Sequence, residues 1–224
     1  FIAAGLLCHD RRGISYDDLM EVLSIFRDYL NVRQVKLAET FTEEQKSIEN
    51  ALILFDQAGF ISKIGEDDEE VTEDIEETVY SLEDDKRLSI EYYKNNILYY
   101  FLPASFLAVS ALSRTEDMIR LKELMDDYVF LKRLFRHEFI YDDIKDDADE
   151  INELVSYFSE RGMIDVEEKG GEAWIELTGA GRKKLMAFAG LVSNYIESYW
   201  VAVRGCAYLR KEARSERDFM KKLR

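Results

Sequence analysis

Apolar residues recur along this chain mostly at helical spacing. Between Ser15 and Asn31, Leu19, Val22, Leu23 and Phe26 mark one face of an amphipathic helix, with Ser15 placed as its N-cap and Asp18 three residues on. A second helix is expected to start at Thr42, bury Ile48, Ala51, Leu52 and Phe55, and close at Gly59. Phe60 to Ile64 and Thr78 to Leu82 read as short strands. The run from Leu88 to Leu112 differs from all of these. Ile90, Tyr93, Ile97, Tyr100 and Phe101 fall on one side of its helical wheel, while Tyr92, Leu98, Tyr99 and Leu102 cover much of the rest. A helix apolar nearly all round is a buried one, so this stretch is expected to be the central pillar of the fold. Asn95 and Asn96 would then enter the interior, Asn96 the deeper, and each amide would need a partner.

The second half of the chain repeats the first. Ile151, Leu154, Val155 and Phe158 reproduce Ile48, Ala51, Leu52 and Phe55, and FSERGMI (158–164) follows FDQAGFI (55–61) at a constant offset of 103 residues. Met163 to Glu168 and Glu172 to Leu177 then form a hairpin across Gly170-Gly171, a dipeptide suited to a two-residue turn. That register sets Val166 opposite Ile175 and Ile164 opposite Leu177 on one face, with Glu167 and Trp174 on the other. LTGAGRKKL (177–185) opens a long apolar helix, Met186 to Val203, in the place that Leu88 to Leu102 holds in the first copy. The fold class is therefore mainly α with short β-hairpins: two tandem winged-helix-like units, each followed by a long buried helix. The expected division is 1–114, 115–203 and a basic tail, 204–224.

Composition narrows the function. A formal charge of −16 repels phosphates, and DNA binding draws most of its affinity from Lys and Arg. The helix expected to read DNA in the second unit, Asp146 to Glu160, is itself acidic, so a winged-helix shape here does not carry winged-helix function. Two cysteines, Cys8 and Cys206, with no CxxC pair, fit a reducing compartment and buried apolar positions, and not a disulfide framework or a zinc site. Between Asn95 and Ser113 no charge occurs, yet the Asn pair and Pro103, expected to break the run into two helices, favour a core over a membrane span. The block Glu66 to Glu77, nine of twelve residues acidic, reads as a solvated loop.

No catalytic constellation stands out. His137 and Asp142 have His-x4-Asp spacing, but residues five apart on one helix diverge by about 140°, and His137 is expected to be a half-buried structural residue at a helix end. His9 has Ile14 at the fifth position. The acidic pairs at 67–68, 84–85, 126–127, 142–143 and 146–147 do not converge as a hard-cation site requires. The sequence starts on Phe1 without a methionine or a secretory layout, which suggests that the gene product begins upstream. The tail from Arg204 to Arg224 carries eight Lys/Arg against three Asp/Glu, enough to meet an anionic lipid surface or to be an ordinary exposed helix.

The run LSIEYYKNNILYYFLPASFLA (88–108) resembles the Tyr-Tyr-Arg/Lys-Asn-Asn-Ile segment of the C-terminal region of bacterial glycerol-3-phosphate 1-O-acyltransferases. LLCHDRRGISYDDL (6–19), FLKRLFRHEFIY (130–141), SYFSERGMI (156–164) and SERDFMKKL (215–223) are similar to other parts of that region, in the same order. What the resemblance implies is acyl transfer from acyl-carrier protein or coenzyme A to the sn-1 hydroxyl of glycerol 3-phosphate, in phospholipid synthesis. The family's catalytic His-x4-Asp pair belongs to an N-terminal half, so this segment is expected to support or regulate that half and to be inactive alone. It implies no catalytic, substrate-binding or metal-binding residue and no cofactor here, and Tyr92, Tyr93, Asn95 and Asn96 are read as structural. The implied partners are the catalytic half of the same polypeptide and an anionic membrane, with no nucleic acid, at the cytoplasmic face of the inner membrane. A free-standing winged-helix DNA-binding regulator and a non-enzymatic interaction scaffold remain the alternatives.

Overall fold

The computed structural model describes residues 1–9, 13–36, 44–64, 78–116, 118–141, 145–210 and 215–223. Thr42, the acidic block 66–77 and Asp142 lie outside them. By their contacts the residues fall into two units, Phe1–Leu191 and Val192–Arg224.

The first unit opens with α1 (Ile2–Leu7) and then runs twice through the same series of elements. The first copy is β1 (Gly13–Ser15), α2 (Tyr16–Val32), α3 (Glu44–Gln57), β2 (Ile61–Ile64), β3 (Val79–Leu82) and α4 (Arg87–Leu112). The second is β4 (Met118–Arg120), α5 (Leu121–Leu134), α6 (Asp147–Glu160), β5 (Ile164–Lys169), β6 (Glu172–Leu177) and α7 (Gly179–Gly190). Each copy has a three-stranded antiparallel sheet of the same order, β1-β3-β2 and β4-β6-β5. The first strand of each sheet is absent from the reading of the sequence, because three residues are too few to display a period of two.

The matching heptapeptides fold alike for a local reason. Gly59 (φ +66°) and Gly162 (φ +63°) end α3 and α6 in the left-handed conformation. Behind them the amides of Phe60 and Met163 reach back to the carbonyls of Phe55 and Phe158, at 2.9 and 2.8 Å. The second hairpin has the expected register, Val166 opposite Ile175 and Ile164 opposite Leu177, across Gly170 and Gly171 at φ +64° and +81°. At the start of α2, the Ser15 hydroxyl accepts from the Asp18 amide at 3.2 Å.

The copies share one core. Phe26 and Tyr29 of α2, Phe101 of α4 and Phe188 of α7 pack ring against ring, and Phe158 of α6 joins through Phe188. Polar ties cross between the copies as well. Asp28 receives hydrogen bonds from Arg161 at 2.7 Å and Tyr157 at 3.0 Å, and Lys183 reaches Asp18 and Glu21. α4 is central, packing against α1, α5, α6 and α7.

Four expectations are corrected. α4 runs unbroken through Pro103: one missing helix hydrogen bond does not outweigh the burial of the turns around it, Phe101, Leu102, Ala104, Phe106 and Leu107. The long helix expected over 186–203 is two helices, α7 ending at Gly190 and α8 (Ser193–Leu209) starting after it. At the break, the Leu191 amide bonds to the Phe188 carbonyl, and a Cβ on Gly190 would stand 1.7 Å from the Cys8 carbonyl oxygen. Cys8 is buried as expected, whereas Cys206 is exposed. His137 is also exposed, in the turn beyond α5.

In the second unit, α8 buries only Gly205 among its residues and leaves Trp200 and Val203 exposed, with Arg204 over the Trp200 ring. α9 (Glu216–Leu223) follows it.

Candidate functional site

The features that can carry function gather on α4, whose two halves have different surroundings. From Phe101 to Ala111 nearly every side chain is buried, as a pillar requires. This half explains why α4 is long and apolar enough to cross a membrane while serving as a core helix. From Leu88 to Tyr100 the helix has an outward face. Leu88 (84% exposed) and Tyr92 (68% exposed) stand fully out, Asn95, Asn96, Tyr99 and Tyr100 are exposed, and Tyr93 is half out while touching Phe55 and Phe60. The burial expected for Asn96 is thus not what the fold provides. Tyrosine misled the wheel, because its ring counts as apolar while its hydroxyl lets it stand in water.

Lys94, in contrast, does enter the interior, at 1% exposure. Its Nζ lies 2.5 Å from the carboxylate of Glu91, one turn back and also buried, and Arg87 approaches the same carboxylate at 3.9 Å. Burial pulls the Lys94 ammonium below its ordinary range, and the charge of Glu91 opposes that pull. The Cys8 thiol shares this interior, and burial pushes it up to about 12. Sequence alone offered one signal for Lys94: at i+3 and i+4 from Glu91 and Ile90 it falls on the apolar side of the wheel.

A pocket of about 270 Å³ opens beside Pro103. Leu102, Pro103 and Phe106 give it apolar lining, and Tyr99, Tyr100 and Tyr141 line it as well. Among the described lining residues, Arg33, Lys132 and Lys145 are cationic and Glu150 is a carboxylate. Glu150 accepts from Arg33 at 3.2 Å and from the Tyr128 hydroxyl at 2.7 Å, and burial, with Glu150 behind it, raises the Tyr128 phenol well above its ordinary value. Lys132 pairs with Asp147, and Lys145 and Arg33 both pair with Glu153. Nothing in the spacing of these residues announced the pocket, because they come from the turn after α2, from α4, α5 and α6, and from the segment between the last two.

Asp127 is held by Arg114 and Asp147 by Lys132, and among the described residues no three His, Cys, Asp or Glu side chains stand together as a metal set. His137 accepts from the Arg136 side chain in the exposed turn.

All of the chain, residues 1–224, matches the family described as the glycerol-3-phosphate acyltransferase C-terminal region. Comparison with curated proteins gives no match.

Proposed function

Because the chain belongs to the glycerol-3-phosphate acyltransferase C-terminal region family, we propose that it is a non-catalytic part of such an enzyme, holding the catalytic region of the same polypeptide against the outward face of α4. One observation carries this reading: in the run Tyr92-Tyr93-Lys94-Asn95-Asn96 only Lys94 is buried, Tyr93 is half out against Phe55 and Phe60, and Tyr92, Asn95 and Asn96 face outward. Tyr and Asn suit a protein contact, since a Tyr ring covers area at little entropic cost and an amide adapts its hydrogen bonds. The reaction belongs to the catalytic region: an acyl group passes from acyl-carrier protein or coenzyme A to the sn-1 hydroxyl of glycerol 3-phosphate. The second unit supports a membrane-peripheral place on the cytoplasmic side, through exposed Trp200 and Val203 beside the basic tail.

The test uses the full-length polypeptide. Tyr92→Ala together with Asn96→Ala is expected to lower acyl transfer to glycerol 3-phosphate at least tenfold, about 1.4 kcal/mol of lost coupling, while the melting temperature of the 224-residue chain stays put. Undiminished transfer rejects the contact. Turnover of labelled glycerol 3-phosphate by the 224-residue chain alone rejects the non-catalytic reading.

A further inference from the structure

Another pocket, of about 260 Å³, is lined by residues of α3, β2 and β3. We infer that it seats an arginine side chain from a basic segment of the catalytic region of the same polypeptide. Naming that region as the source rests on the reading proposed above. Leu52, Ile53 and Tyr80 give the lining apolar surface, and Glu49, Asp56 and Lys63 give it charge. Among the described residues none of these three makes an ion pair, and the hydrogen bond that Glu49 accepts, from the Gln45 amide at 3.2 Å, comes from a neutral group. Burial first, and then the charges of Tyr16, Glu49 and Asp56, raise the Tyr80 phenol, so both carboxylates act on the ring that lines the pocket with them.

An arginine uses every part of this lining. Its guanidinium pairs with carboxylates through a planar fork and lies on a tyrosine ring, while its methylene stem covers apolar side chains such as Leu52 and Ile53. A metal ion fits worse. It needs several converging oxygens, and here two carboxylates share the lining with an ammonium. Lys63 itself is exposed and can turn its head to water. At about 260 Å³ the pocket is smaller than the ~300–1,000 Å³ that enclose whole small-molecule ligands, so one long side chain suits it. The formal charge of −16, with nine acids among the residues 66–77 that join β2 to β3 in sequence, favours a basic segment around that arginine.

The second copy shows that the fold does not require this lining. At the offset of 103 residues, Glu49, Ile53, Asp56 and Lys63 become Asn152, Ser156, Ser159 and Val166. Ile175 stands where Tyr80 does, since Tyr80 pairs with Lys63 and Ile175 with Val166. The two acids and the ring therefore belong to the first copy alone. Its α3 also reaches the face assigned to the catalytic region: Phe55, next to Asp56, and Phe60, just ahead of β2, both touch Tyr93.

Photo-crosslinking of the full-length polypeptide decides it. Ile53→benzoylphenylalanine, at a 53% exposed position, is expected to give an intramolecular adduct on a segment of the catalytic region that carries arginine. Adding Glu49→Gln with Asp56→Asn, both at exposed positions, is expected to cut the yield at least about threefold while the melting temperature of the 224-residue chain stays put. Ser156→benzoylphenylalanine, at the matching position of the second copy, is expected to give no adduct on that segment. An adduct on a segment without arginine, on a second copy or on another protein overturns the inference. So does no adduct at all, the same adduct from Ser156, or a yield indifferent to the loss of both carboxylates. Tyr92→benzoylphenylalanine reads the α4 contact separately. An adduct from Tyr92 with none from Ile53 overturns this inference and leaves that contact, and an adduct from Ile53 with none from Tyr92 does the reverse.

Discussion

Lys94 and Glu91 form an ion pair at 2.5 Å inside the half of α4 whose other face is open to solvent. The pair makes the orientation of this helix specific. A rotation that buried Tyr92 would take Lys94 out of the interior and expose the apolar side, Ile90, Leu98 and Phe101.

Removing one partner is expected to be far worse than removing both. Lys94→Met leaves the Glu91 carboxylate buried without the ammonium beside it, and a loss toward the lower end of about 3–5 kcal/mol is expected in urea unfolding. Glu91→Leu with Lys94→Met restores an apolar interior and should recover most of it. A double variant as unstable as the single would show that the pair's geometry, and not the stranded charge, is what matters.

The tie from Arg161 and Tyr157 to Asp28 has a pH signature. The Arg161 hydrogen bond, with Tyr157 adding to it, holds the Asp28 carboxyl below its ordinary value of 3.8. Its stabilisation is therefore complete above the ordinary value and lost as pH falls through the lower folded value. Denaturant midpoints of Asp28→Asn should lie below those of the parent chain at neutral pH and converge with them under acid. A gap that persists unchanged below pH 3.8 would assign the tie another origin.

Two glycines have no room for a methyl group. A Cβ on Gly181 would lie 1.9 Å from the Met163 carbonyl oxygen, and one on Gly190 would lie 1.7 Å from that of Cys8. Both obstacles are backbone, so Gly181→Ala and Gly190→Ala should each cost about 1–3 kcal/mol or more, despite alanine's better helix propensity. Gly179→Ala, in the same helix with nothing within 4 Å, is the control and should be neutral or stabilising.

Asn95→Leu and Asn96→Leu should leave the stability of the 224-residue chain within about 0.5 kcal/mol, since both side chains are exposed. A loss of several kcal/mol in thermal unfolding would return Asn96 to the interior and remove the docking face with it.

The two thiols should react differently. Cys206 is exposed, whereas Cys8 is buried and its thiol pushed up to about 12. Iodoacetamide at neutral pH should modify one cysteine in the native chain and the second only in denaturant.

The sequence by itself determined the elements whose causes are local: the Ser15 cap, the glycine ends of α3 and α6, the Gly170-Gly171 hairpin with its register, and the repeat that binds these together. Each depends on residues a few positions apart, so each is written in a short window. The resemblance of the Tyr-Tyr-Lys-Asn-Asn run likewise pointed to the family that the whole chain matches. Tertiary structure decided which way that run faces. A wheel scores a tyrosine ring as apolar and a lysine as polar, but the neighbours of α4 leave Tyr92 and Asn96 outside and enclose Lys94, because Glu91 supplies its counter-charge. Tertiary structure also kept α4 whole through Pro103, ended α7 where Gly190 meets the backbone of Cys8, and gathered Arg33, Lys132 and Lys145 around one pocket. Those outcomes join residues from separate elements, and their energies come from burial and charge across the core, which no periodicity along the chain records.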